Sequence, residues 1–160
     1  MAGFVTNATV AGLSNKSYSI GGNYTFGPLR LNAGLFHYTA DQGAAGALGQ
    51  RKDDAWTVSG KYSLTDRVDF ELGYQDMKAD HAAVNGGGNV LNAFGNASGA
   101  TATATGSRST LYASAFYHFD KITEIYVAGD YLKLKDGYTF GPTNGFGSQT
   151  ELAVGLRTRF

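Results

Sequence analysis

Nine charged side chains recur at alternate positions inside otherwise apolar or aromatic segments: Arg30, Lys61, Asp69, Glu71, Glu124, Asp130, Glu151, Arg157 and Arg159. Charges that alternate with Leu, Val, Phe and Tyr need water or a partner on their side of the element, because an isolated charge in an apolar interior is too costly. Two kinds of chemistry fit them. Opposed acids and bases around a wet space set a transverse field that orders water and selects small polar solutes. Alternatively, they are neighbours that pair across strands. For Arg30 and Lys61 both readings stand, and for Arg157 and Arg159, close to the end of the chain, the pairing reading is favoured. Catalysis has little to build on. The histidines are His37, His81 and His118. The first alternates onto the apolar side and the second lies in a loop. The third shares the polar side with Ser63 and Ser114, and a lone His there is more often structural than a base. Gly86 to Gly88 lack a Lys-Ser/Thr sequel, so they make a loop and not a phosphate cradle. No spacing of acids resembles a calcium loop, and no cofactor is expected.

The elements that carry these residues are read from periodicity. Helical spacing is poor throughout, while period-two alternation recurs in segments of about ten residues rich in Tyr, Phe, Val, Leu and Thr. Ser17 to Phe26 places Tyr18, Ile20, Gly22, Tyr24 and Phe26 on one face. After Gly27-Pro28, Leu29, Leu31, Ala33, Leu35 and His37 alternate with Arg30, Asn32, Gly34, Phe36 and Tyr38. Later strands carry Trp56 to Leu64, Val68 to Gln75, Leu111 to Phe119, Glu124 to Tyr131 and Glu151 to Phe160. Their connections alternate between two to four residues (Gly27-Pro28, Thr65 to Arg67, Asp120-Lys121) and long polar stretches. Those stretches are Ala40 to Asp54, the Ala-, Gly- and Asn-rich Asp80 to Ser109, and Asp136 to Gln149.

The whole 160-residue chain reads as one domain, and its composition narrows the choice further. With 23 glycines, 13% aromatics, 16% charged residues and zero net charge, it resembles neither a disordered tail nor a helical enzyme. Charge balance argues against a nucleic-acid partner, which demands a basic surplus. The lack of Cys excludes disulfides and thiol nucleophiles. No run approaches the length of a spanning helix, and the first residues lack the basic start and apolar core of a signal peptide, so the expectation is a mature chain or a fragment. Aromatics cluster on the apolar face at both ends of the strands: Tyr24, Phe26, Tyr62, Tyr117 and Phe119 before the short turns, Trp56, Tyr74 and Tyr131 toward the long loops. Two aromatic girdles around an aliphatic band are what strands crossing a bilayer show. Tyr62 to Phe70 and Tyr117 to Ile125 also repeat one hairpin at an offset of 55 residues.

Three pieces of sequence carry a family likeness. They are Tyr18-Ser-Ile-Gly-Gly-Asn-Tyr24 running into Gly27-Pro-Leu29, the two repeated hairpins, and the terminal Val154-Gly-Leu-Arg-Thr-Arg-Phe160. Together they resemble the trimeric general porins of Gram-negative outer membranes, over the last seven strands of that family's sixteen-stranded barrel. Phe4 to Val10 would be the outer end of the strand before. The resemblance implies an all-β, transmembrane antiparallel β-barrel and passive diffusion of small hydrophilic solutes and ions. It also implies an assembly signal that includes Gly155 and Phe160, and a wall on which Arg30, Lys61, Arg157 and Arg159 are the basic candidates. The implied partners are outer-membrane lipid and lipopolysaccharide, the outer-membrane assembly machinery, and two further copies in a homotrimer when full length. Thr158 stands where that family often has His. The family's N-terminal strands and acidic constriction loop have no counterpart in these residues, so the expectation is a partial porin. The alternative is a closed eight-stranded barrel that recruits Phe4 to Val10, fills with side chains and conducts nothing.

Overall fold

A computed structural model describes residues 2–10, 13–42, 48–84, 102–139 and 146–159. Every regular element is a strand: β1 (Ala2–Val10), β2 (Leu13–Phe26), β3 (Leu29–Asp41), β4 (Gln50–Thr65), β5 (Val68–Ala83), β6 (Thr103–His118), β7 (Thr123–Asp136) and β8 (Ser148–Thr158). They form one antiparallel sheet in chain order, β1 through β8. Antiparallel neighbours in chain order need only hairpins, and the three short turns read from the sequence fall at one end. Tyr24 pairs with Leu31, Lys61 with Glu71 and Tyr117 with Ile125 beside them. Gly27 adopts φ +54°, where a side chain would be strained. Arg67 N donates to Thr65 Oγ1 at 3.2 Å, and Asp120 Oδ1 accepts from the amides of Ile122 and Thr123 at 2.8 and 2.7 Å.

The strands outrun their apolar patterns. β4 starts at Gln50, β5 continues to Ala83, β6 starts at Thr103 and β8 at Ser148, inside stretches that the sequence marks as linkers. Beyond the outer girdle the lipid-side face turns to exposed lysines and the opposite face buries small and polar side chains, so hydrophobic alternation fades although backbone pairing continues. β1 takes in Phe4 to Val10 as the strand before β2, as expected, and differs only in its connection. It pairs with β2 from Ala2↔Ile20 to Val10↔Leu13, so its connection to β2 is short at the end where the other connections are long. Nor does the sheet close on itself. Among the described residues β1 and β8 are its two edges, and the closed eight-stranded alternative is not formed.

The sheet has almost no core. Its buried apolar side chains, Leu13, Ala40, Ala79, Ala82, Ala83 and Leu134, all lie at the long-loop end. The mid-strand apolar face lies bare: Ile20 and Leu35 are 60% and 61% exposed, Leu72 is 58% and Leu152 is 78%. In water such a surface would drive aggregation. In a bilayer it is the lipid contact, and no described helix is long and apolar enough to cross instead.

Candidate functional site

The opposite face gathers the charges. At the short-turn end, successive strands each contribute to one network. Lys61 Nζ on β4 lies 2.7 Å from Asp69 Oδ2 on β5, which also lies 2.9 Å from His118 Nε2 on β6. The other ring nitrogen, Nδ1, is 3.1 Å from Glu124 Oε2 on β7, and Glu124 receives Arg157 Nη2 on its Oε1 and, at 3.9 Å, Arg159 Nη2 on its Oε2. The two carboxylates are buried while the basic groups around them keep half their surface in water, or a quarter for His118. Each acid is therefore held by at least one cation and by the His118 ring in a place too dry for it to stand alone. These residues line a groove of about 840 Å³ together with Glu71 and Phe116.

Of the nine charges singled out in the sequence, five thus meet: Lys61, Asp69, Glu124, Arg157 and Arg159. Glu71 is opposite Lys61 in register, but the ammonium goes to Asp69. Arg30, Glu71 and Asp130 share the face by parity and make no ion pair or side-chain hydrogen bond among the described residues. Glu151 accepts a hydrogen bond from Gln149 Nε2. It lies directly across from Asp130, a like-charged pair with no base between them in register. His118 proves to be the bridge of the rim network. Periodicity gives its face but cannot give its partners.

Farther out, past the girdle, the structure adds residues that periodicity missed. Arg51 and Asp53 on β4 form a buried bidentate pair: Nε is 2.8 and 3.0 Å from the carboxylate oxygens and Nη2 is 2.8 Å from Oδ2. Burial pushes the Asp53 carboxyl up from its ordinary value against the pull of Arg51, and burial likewise raises the phenol of Tyr138 beside them. The buried Gln42 side chain ties the β3–β4 connection to β5, donating to the His81 carbonyl and accepting the Ala83 amide at 2.7 Å.

Two glycines on the charged face explain their own presence. A Cβ on Gly73 would meet the Tyr112 ring at 2.2–2.7 Å, and one on Gly155 would meet the Tyr126 ring at 2.4–2.6 Å. Each tyrosine lies across its cross-strand glycine. Gly155, expected in the assembly signal, thus seats Tyr126, whereas Phe160 lies outside the described residues.

On the bare apolar face the outer girdle (Tyr18, Trp56, Tyr74, Tyr131) gives way to lysines. Lys16, Lys52, Lys78, Lys133 and Lys135 are exposed, and none reaches an ion pair or side-chain hydrogen bond among the described residues. The acids between them are already engaged. Asp41 accepts from Ser14, Asp54 contacts His37 at 2.6 Å, and Asp76 and Asp80 accept from Ser109 and Thr105 at 2.6 Å each.

This two-faced sheet is similar to solved outer-membrane barrels. An in-vitro folded OmpT, an outer membrane protein of Vibrio cholerae, aligns with a TM-score of 0.64 and 15% identity over 91% of this chain and 41% of its own. Outer-membrane expressed OmpT of Vibrio cholerae gives 0.60 and 16% over 98% of this chain and 47% of its own. The chain therefore spans less than half the length of those proteins, and at such identity the likeness is one of fold. No curated protein matches the sequence. Residues 1–137 match the family described as Gram-negative porin, up to the end of β7. With its apolar face turned to lipid and its charges on the other, the chain belongs to the Gram-negative porin family and is a β-barrel protein of the outer membrane.

Proposed function

We propose that this sheet is part of the wall of a water-filled channel through which small hydrophilic solutes and ions diffuse, without catalysis. One observation carries the reading: a single sheet has a coreless apolar face and, on the other side, a network of ionised residues that needs water. Only a lumen satisfies both faces at once. Unpaired strand edges are not stable in hydrocarbon. Conduction therefore belongs to a barrel in which β1 and β8 have found partners, for which sixteen strands leave an aqueous passage and eight do not. The non-catalytic reading is supported at His118, whose two ring nitrogens both face carboxylates and leave none for a serine. The lysines beyond the girdle, at the level of lipid headgroups, fit the phosphates of outer-leaflet lipopolysaccharide.

Because the chain has no Cys, single cysteines test the assignment of faces. A charged, water-soluble thiol reagent is expected to label Ser59→Cys and Ser114→Cys in membranes and to leave Val58→Cys and Ala113→Cys untouched. The reverse pattern would overturn the channel reading. In planar bilayers, large ohmic steps from a species shown to be a monomer of this chain would overturn the requirement for edge partners.

A further inference from the structure

We propose that Tyr112, Phe116 and Tyr126 form a stacking surface for a neutral oligosaccharide moving along the wall, an inference that rests on this face being a channel lining. Tyr112 and Phe116 on β6 and Tyr126 on β7 share the charged face by parity, and all three are partly exposed. The tyrosine rings pack closely over Gly73 and Gly155, so each ring rests against the wall and keeps part of its surface exposed on the charged face. Phe116 continues the surface, its ring centroid 6.1 Å from that of Tyr126 at a 39° tilt, and it borders the groove that holds the rim network.

An aromatic face left open to water is a net cost unless an apolar surface covers it. The ligand that fits a flat ring on a polar wall presents a flat C–H face edged by hydroxyls, which is the surface of a pyranose. Hydrogen-bond acceptors for those hydroxyls stand beside the rings. Asp130 is the direct cross-strand partner of Tyr112, and Glu71 is two residues from Gly73; neither carboxylate is engaged elsewhere among the described residues. With Glu151 across from Asp130, these carboxylates repel an anionic sugar and leave a neutral one as the occupant. From Tyr112 to Phe116 the strand advances about 13 Å, long enough for an oligomer and more than one ring requires.

The test uses the whole chain folded in detergent micelles, with folding checked by heat-modifiable gel migration, titrated calorimetrically with maltohexaose, cellohexaose, glucose and a polyethylene glycol of similar length. At least one hexasaccharide is expected to bind saturably, glucose far more weakly and the glycol not at all. Tyr112→Ser and Tyr126→Ser are each expected to weaken binding by about tenfold, while Tyr112→Phe, which keeps the ring, stays within about twofold. Gly73→Ala, which pushes the Tyr112 ring off the wall, should weaken binding as well. Saturation-transfer NMR on the unmodified protein supplies a readout that needs no variant: saturating the aromatic protons should reach the ring protons of the bound sugar. No saturable hexasaccharide binding, no transfer from the aromatic protons, or affinity unchanged in the Tyr112→Ser, Tyr126→Ser double variant would each overturn the proposal. Since none of these readouts involves conductance or cysteine labelling, failure here is distinct from failure of the channel reading.

Discussion

Leu72 offers the sharpest test of which face meets lipid. It is 58% exposed and lies midway along the apolar run of β5, between Val68 and Phe70 on the turn side and Tyr74 at the outer girdle. Its cross-strand neighbours are Gly60 and Ala113, so no large side chain stands beside it to shelter a charge. Arginine near the middle of the lipid face of such a barrel costs about 2–4 kcal/mol. That corresponds to roughly thirty- to seven-hundred-fold in the folding equilibrium at 1.4 kcal/mol per factor of ten. Leu72→Ala, by contrast, loses only apolar area against lipid, about 1 kcal/mol. The inward control is Ser114→Arg, which faces Glu71 across the strands, a carboxylate with no other partner, and is expected to change stability by less than about 1 kcal/mol. Folding into lipid vesicles across a urea series can be followed through Trp56, the sole tryptophan, on the lipid side of the girdle with its ring 5.3 Å from that of Tyr74. Equal tolerance of Leu72→Arg and Ser114→Arg, or a Leu72→Arg no worse than Leu72→Ala, would refute the orientation.

Other perturbations follow from the same geometry. Arg51→Ala strands the buried Asp53 carboxylate and is expected to cost about 3–5 kcal/mol, much of it recovered by Arg51→Met with Asp53→Leu; urea titrations in which the double change is as damaging as the single one would argue against this. Glu124→Gln releases Arg157, Arg159 and His118 together, yet the arginines can rehydrate, so a loss of only about 1–2 kcal/mol is expected in the same assay; a loss above that range would mean the rim is drier than its exposures imply. Gly155→Ala must displace the Tyr126 ring at a cost of about 1–3 kcal/mol. Tyr126→Ala added to it should then cost little more, and additive losses would contradict the contact. At the β6–β7 turn, the amides of Ile122 and Thr123 hold the Asp120 carboxyl below its ordinary value. Its contribution is therefore full above about pH 3.9 and disappears as pH falls through the lower folded value. The protection of those two amides, taken relative to the intrinsic exchange rate at each pH, should fall on acidification in the unsubstituted chain and not in Asp120→Ala, and identical protection profiles would rule the cap out.

Much of this architecture is legible in the sequence because the period of a strand is a property of covalent geometry. Once Tyr18, Ile20, Tyr24 and Phe26 alternate with Ser19, Gly21, Asn23 and Thr25, the two faces of β2 follow, and the same holds for the middle of every strand from β2 to β8. Hydropathy reports a face only where the two faces meet different solvents. Arg51 and Asp53 lie where the outer face is wet and the inner face buries polar groups, among Asp, Lys, Ser and Gly, and that is why strands that continue there read as linkers. Parity also leaves open which charges cancel. Lys61 stands opposite Glu71 but is long enough to reach Asp69, and His118 takes a second carboxylate from the next strand. Those outcomes depend on side-chain reach and on competition among neighbours, neither of which alternation encodes. The consequence bears on function. The rim network sets three bases, Lys61, Arg157 and Arg159, against two carboxylates, so the wall is left positive near the turns, where Arg30 adds to it, and negative at Glu71, Asp130 and Glu151 deeper along β5, β7 and β8. A solute passing the rim meets a small positive excess, whereas one reaching Tyr112 meets uncancelled carboxylates.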